Sequence, residues 1–387
     1  MRASGPELAM LACGWAALVL VLNMSLEPMA FGIVFGTIVF AECFSGLFLS
    51  FVIKPATAQR WQDVLGWVLL LWTLFCLVFV LLFHLGLLRF YLDQGFAVLA
   101  CLGLTLAVAL LKFFSYHCGV RFLAGLRRFR LVACAVVLGT FARFGTLTLD
   151  LALSLALLTC LCLLLPFGKG PAQRDSIEFP ELRTDPLGSL WQHADLIMVP
   201  VFLSGVDALK YLLARALVQV VFSAFAYLAL NAGPQMAFAA RIQDHAGFVA
   251  VAARLNLGAM LVGGGLCLSA LTVAPYFAEH FEVSRTAFMD VLIWMLLAAA
   301  APVFFGATHA VMHAKEMHNL PNTLNFGASL LLCATMLATP SPTAVFLAEI
   351  VCILHLGVAA CGAGWLALRV GVWPGITAIL LRQIKLF

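Results

Sequence analysis

Charge is what this sequence has least of. Asp, Glu, Lys and Arg make up 10% of its 387 residues, where a soluble domain carries about 25%. A freely soluble protein is excluded by that scarcity. Long polar stretches are nearly missing too. In mid-chain only residues 167–186, FGKGPAQRDSIEFPELRTDP, break the apolar pattern for any length, and the other loops are too short to house a catalytic domain outside the membrane. No P-loop, GxSxG or dinucleotide fingerprint occurs, which leaves nothing in the chain for nucleotide-driven pumping. Cysteine is present twelve times but never as CxxC; scattered through apolar runs, these residues read as small packing groups. The stretch HAVMHAKEMH sets His309 and His313 four apart with His318 beyond, but Ala310 stands where a zinc-protease helix needs Glu. No metal site and no cofactor is expected, nor is a nucleic-acid partner.

What is abundant is apolar surface: 64% of the residues are hydrophobic. With about 20 residues needed per crossing, the runs 8–23, 28–53, 63–85, 94–112, 131–147, 150–166, 187–206, 210–231, 252–275, 286–307, 320–339 and 343–368 predict about twelve transmembrane helices. With both termini cytoplasmic, all but Arg89, Arg143, Lys210, Arg215 and Arg285 of the 22 basic residues fall on or near the cytoplasmic side, as the positive-inside bias requires. The densest basic patch, RFLAGLRRFR at 121–130, reads as a topology anchor beside anionic lipid. The linker at 167–186 divides the chain into an N-terminal six-helix bundle, 1–166, and a C-terminal one, 187–387, with a short tail. This is the layout of a transporter made of two like bundles.

Charges inside such runs are costly and mark a pathway or a buried partner. Glu42 lies in mid-run with Ser45 and Gly46 at the helical neighbours i+3 and i+4, a small polar face suited to the bundle interior. Asp195 lies in WQHADLIMVP, five residues before Pro200, which removes a helical N–H. In KYLLARALVQ, Tyr211, Arg215 and Gln219 follow at four-residue steps, one polar stripe on one helix face, and Ser223 extends it. Asp195 and Arg215 read either as a structural pair or as parts of a substrate site. Glu349 and His355 lie in the last run, His355 as a packed core residue.

Three places resemble the oligosaccharide-lipid and polysaccharide flippases of the multidrug/oligosaccharidyl-lipid/polysaccharide (MOP) exporter superfamily. Leu26-Glu27-Pro28-Met29-Ala30-Phe31-Gly32 is similar to the LGPExFG turn between the first two helices, with Glu27 and Met29 departing from it. Asp195, Gly205, Tyr211 and Ala214 are similar to the pattern of helix seven, outer turn and helix eight. Asn231 to Pro234 with Arg241, and then Ala274-Pro275, resemble the ends of helices eight and nine. The resemblance implies an all-α polytopic fold and a non-enzymatic carrier. It implies that an undecaprenyl-diphosphate-linked oligosaccharide or repeat unit crosses a bacterial inner membrane by alternating access. On that reading the cavity residues are Arg215, Tyr211, Gln219 and Asp195, and the ion-coupling candidates are Glu42 and Asp195. The implied partners are the lipid-linked glycan, membrane lipid, a glycan polymerase and a chain-length regulator. Two alternatives stand beside it: a drug or cation antiporter of the same superfamily, and a membrane-embedded glycan polymerase or acyltransferase.

Overall fold

A computed structural model describes residues 5–53, 61–92, 94–117, 121–164, 186–281, 283–315, 319–370 and 375. The expected linker, 167–186, lies outside them except for Pro186. All the long elements are helical, and no strand occurs among the described residues. In order they are α1 (Gly5–Ser25), α2 (Pro28–Ile53), α3 (Trp61–His84), a 3-10 turn (Arg89–Tyr91), α4 (Gly95–His117), α5 (Arg121–Arg143), α6 (Leu149–Cys162), α7 (Pro186–Phe202) and α8 (Gly205–Arg241). Then come α9 (His245–Gly258), a π turn (Ala259–Gly263), α10 (Gly264–His280), α11 (Arg285–Ala299), α12 (Ala301–Phe305), α13 (Thr308–Ala314), α14 (Asn319–Ala338) and α15 (Ala344–Val370).

Helical backbone covers most of the apolar runs among the described residues. Among the described residues seven helices are long and apolar enough to cross a membrane: Met29–Leu47, Leu65–His84, Gly95–Phe114, His245–His280, Arg285–Phe305, Asn319–Ala338 and Ala344–Arg369. On α3 the large apolar residues Trp67, Leu70, Leu74, Leu77 and Leu81 are all more than half exposed. Their spacing of three and four places them on one face. In water such a stripe would be a liability, but in lipid it is the outer wall of the bundle.

The helices form two compact units, residues 5–209 and 210–387, and the division falls inside α8. The first unit takes in α7 because that helix packs along α2, where the Cys43 thiol meets the His193 carbonyl at 3.9 Å. In this unit α1 packs on α5, α2 on α4, and α6 on both α4 and α5. Pro28 opens α2 at the position where a missing N–H costs nothing. Its core is aromatic: Phe40 meets Phe90 at 5.4 Å, Phe44 meets Phe75 at 4.7 Å, and Phe79 meets Tyr91 at 6.0 Å between ring centroids. Tyr91 is fully buried, and its hydroxyl lies 3.1 Å from that of Thr37, which satisfies both groups. The second unit closes by α11, α12, α13 and α14 packing against α15. Met236, Phe248, Leu255, Val311, Met312 and Leu366 form a cluster within it.

Several boundaries differ from the sequence reading. The eighth run continues past 231 as a single helix of 37 residues, carrying Pro234 in its interior. The Asn231–Pro234 segment therefore does not end that helix, although Pro234 still leaves the carbonyl four residues back without its helical partner. The ninth run is likewise longer, a 36-residue path from His245 to His280. Pro275 sits inside α10 rather than closing it. The π turn that joins α9 and α10 ends at Gly263, where a Cβ would lie 2.2 Å from the Phe225 ring, so only glycine admits that ring. The tenth run is split instead of continuous, since Pro302 sits in the first turn of α12 and Gly306 ends that helix at φ 74°.

Candidate functional site

Two groups of polar side chains lie within the helices, one in each unit. In the first unit α2, α4 and α5 bring Glu42, Lys112 and Arg130 together. Arg130 donates from Nη2 to Glu42 Oε2. Lys112 Nζ lies 3.3 Å from the same carboxylate oxygen, and it donates to the Glu42 carbonyl at 2.8 Å and to Ser45 Oγ at 2.7 Å. The three ammonium donors thus have three acceptors. The side chains of Lys112, Arg130 and Glu42 are 10%, 6% and 17% exposed. At that burial a lone charge would cost several kcal/mol, and pairing offsets much of this.

The small face expected beside Glu42 does turn inward. A Cβ on Gly46 would lie 3.7 Å from Lys112 Nζ and 3.9 Å from His193 Nε2, ordinary van der Waals distances, so both groups border α2 at this position. A methyl group fits that space, whereas a larger one displaces the ammonium from Ser45. Gly46→Ala is expected to be near neutral for stability, and Gly46→Leu to cost about 1–3 kcal/mol by overpacking. Thermal unfolding of the two purified variants checks this ordering, and equal midpoints would refute it.

In the sequence Lys112 and Arg130 look like cytoplasmic anchors, because each borders an apolar run. The helices run beyond the apolar pattern, α4 to His117 and α5 from Arg121, which carries both residues into helical interior. The readable signal was Lys112 at the very end of an unbroken apolar run. Glu42, isolated in the sequence, is ion-paired in the structure.

Asp195 also belongs to the first unit, buried on α7. Arg215, Tyr211 and Gln219 belong to the second, all on α8. Tyr211 is fully buried and Arg215 is 7% exposed. Arg215 donates from Nη1 to Gln219 Oε1 at 2.6 Å, one turn on, and its Cζ stands 4.8 Å from the centroid of the Phe222 ring. Phe222 in turn meets the His355 ring of α15 at 5.9 Å. Of the stripe, Arg215 and Gln219 are thus in direct contact, and Phe222, which the sequence reading does not name, supplies an aromatic face for the guanidinium. Gln219 is exposed at the end of this array, and the Ser223 side chain lies outside the described residues.

Of the three histidines in HAVMHAKEMH, His309 Nε2 lies 3.2 Å from Asn325 Nδ2; the side chains of His313 and His318 lie outside the described residues. Among the described residues no three His, Cys, Asp or Glu side chains gather as a metal site would require.

Neither a protein-family model nor a curated protein matches this sequence. Solved structures do match it. The inward-facing conformation of a multidrug resistance MATE family transporter of the MOP superfamily aligns with a TM-score of 0.60 at 14% identity, covering 93% of this chain and 94% of that one. An outward-facing conformation of such a transporter (TM-score 0.48, 13% identity, 94% and 93% covered) and a MATE in the bent conformation (0.47, 14%, 96% and 94%) also align. The first of these shows that this chain has the fold of MATE transporters. It is a multi-pass membrane protein.

Proposed function

We propose that the chain is a carrier that moves a diphosphate-linked, lipid-anchored glycan across a bacterial inner membrane by alternating access, through twelve crossings with both ends cytoplasmic. The observation that carries this reading is the array on α8. Arg215 sits buried on Phe222 with Gln219 at its edge, a combination suited to a phosphate oxygen together with sugar hydroxyls. Tyr211, on the same helix, completes the substrate contacts of the second unit in this reading. In this proposal Glu42 and Asp195 are the coupling carboxylates: a proton taken up by Glu42 would loosen its hold on Arg130 and Lys112, which supplies a movable charge. A glycan polymerase and a chain-length regulator would act on the delivered product.

The likeness to a multidrug resistance transporter supports a second reading, export of an organic cation. One experiment separates the two. Loss of the chain in its native host is expected to leave diphosphate-linked glycan in the inner leaflet, without a change in drug susceptibility. Unchanged glycan lipids together with heightened sensitivity to cationic drugs would sink the glycan reading and leave the antiporter.

A further inference from the structure

Two helical paths of the second unit are interrupted side by side. One is the path from His245 to His280, which the π turn at Ala259–Gly263 divides into α9 and α10. The other is the stretch from Ala301 to Ala314, where α12 ends before Gly306 and α13 begins at Thr308. The π turn packs directly on α12. A side chain joins the two interruptions: Asn256 of α9 is 7% exposed, and its Oδ1 accepts a hydrogen bond from the Ala307 amide at 3.1 Å. One path thus holds a backbone donor at the point where the other leaves its helix.

The glycines at the π turn fall into two kinds. Packing requires Gly263, because the Phe225 ring of α8 stands where its Cβ would be. Gly264 and Gly265 follow, and a Cβ on either would meet nothing within 4 Å. Gly264 has helical angles, φ −61° and ψ −45°, so alanine would fit there and would hold the helix better, glycine being the poorest helix former after proline. With neither contacts nor backbone angles calling for glycine, its effect is to leave the start of α10 soft. The arms on either side have different neighbours. Phe248, Ala252 and Leu255 of α9 share an apolar cluster with Val311 and Met312 of α13, whereas α10 packs on α11. A π turn between arms held in this way is a place where a helix can bend.

We propose that the second unit bends at this level: α10 changes its angle to α9 at the π turn in step with a movement of α12 against α13 at Gly306. Asn256 is the pin that couples the two movements, and the Phe225 ring lodged against Gly263 is the stop. α9 and α13 move as one body, since a close-packed apolar cluster joins them. Phe225 follows Phe222 by three residues on α8, which puts the stop on the helix that carries Arg215. The joint is independent of what the carrier transports.

The test is amide hydrogen exchange of the full purified chain in detergent, read by mass spectrometry on peptides covering 257–267 and 300–310. Both are expected to exchange at least about tenfold faster than the middle of α11, because a joint opens its own hydrogen bonds. Gly264→Ala together with Gly265→Ala should raise the thermal unfolding midpoint and slow exchange about tenfold in both peptides, although neither substitution lies in 300–310. In an Asn256→Ala background the same pair should still slow 257–267 but leave 300–310 unchanged. Protection of both peptides equal to that of α11 overturns the proposal. A lowered midpoint in the double alanine variant overturns it as well, since packing would then require those glycines. Slowing confined to 257–267 in the double alanine variant would show that the two interruptions move separately, and slowing of 300–310 that survives Asn256→Ala would remove Asn256 as the pin.

Discussion

Replacing Glu42 by leucine is expected to lower the stability of the chain by about 3–5 kcal/mol, among the largest effects of any single change here. The reason is the burial of what remains. Lys112 and Arg130 are 10% and 6% exposed at the side chain, and without the carboxylate two cations face each other in a helical interior. The 17% exposure of Glu42 places the expected loss toward the lower end of that range. Substituting all three residues together, Glu42→Leu with Lys112→Met and Arg130→Met, should recover most of it, because an apolar triad of similar volume has neither charge to desolvate nor partner to miss. Denaturant unfolding of the purified variants in detergent measures both. A loss below about 1 kcal/mol in the single variant would mean that water reaches the cluster, and a triple variant as unstable as the single one would mean that the ion pairs hold the helices together by themselves.

The second large effect concerns transport. Arg215→Gln is expected to slow movement of a fluorescent polyprenyl-diphosphate oligosaccharide across proteoliposomes by at least about tenfold, since a buried guanidinium contact to an anion is worth about 2–5 kcal/mol. Arg215→Lys should restore little of the rate. The planar fork that reaches Gln219 at 2.6 Å while lying 4.8 Å over the Phe222 ring has no counterpart in an ammonium. Phe222→Leu should have a smaller effect, in keeping with about 0.5–2 kcal/mol for a cation over an aromatic face. Transport by Arg215→Gln at the wild-type rate would remove α8 as the substrate contact.

Much of the architecture was open to reading because lipid is a strict solvent. A backbone crossing it has to satisfy its own hydrogen bonds, so apolar runs such as 28–53 and 343–368 had only the helix available, and both appear as α2 and α15. Helix ends were harder. Pro234 and Pro275 looked like stops, but each is carried inside a helix, where packing compensates for one absent hydrogen bond. Pro302 did end a helical stretch, since Gly306 follows closely and turns the chain at positive φ.

The site was half legible. Tyr211, Arg215 and Gln219 share one helix, and a helix has a known period, so their alignment followed from spacing alone. The partners of Glu42 were not accessible by that route. Lys112 is 70 residues away and Arg130 is 88, on other helices, and periodicity says which face a residue occupies but never which neighbour that face will meet. By itself the sequence determined an all-helical membrane protein, the polar stripe on α8 and the inward face of α2, because these depend on local periodicity and on transfer from water to lipid. Only the tertiary structure decided that Glu42 is ion-paired rather than alone, that Lys112 and Arg130 are the cations it meets, and that Gly46 borders the Lys112 ammonium. Those are facts of packing between distant segments, and burial turns them from small surface effects into several kcal/mol.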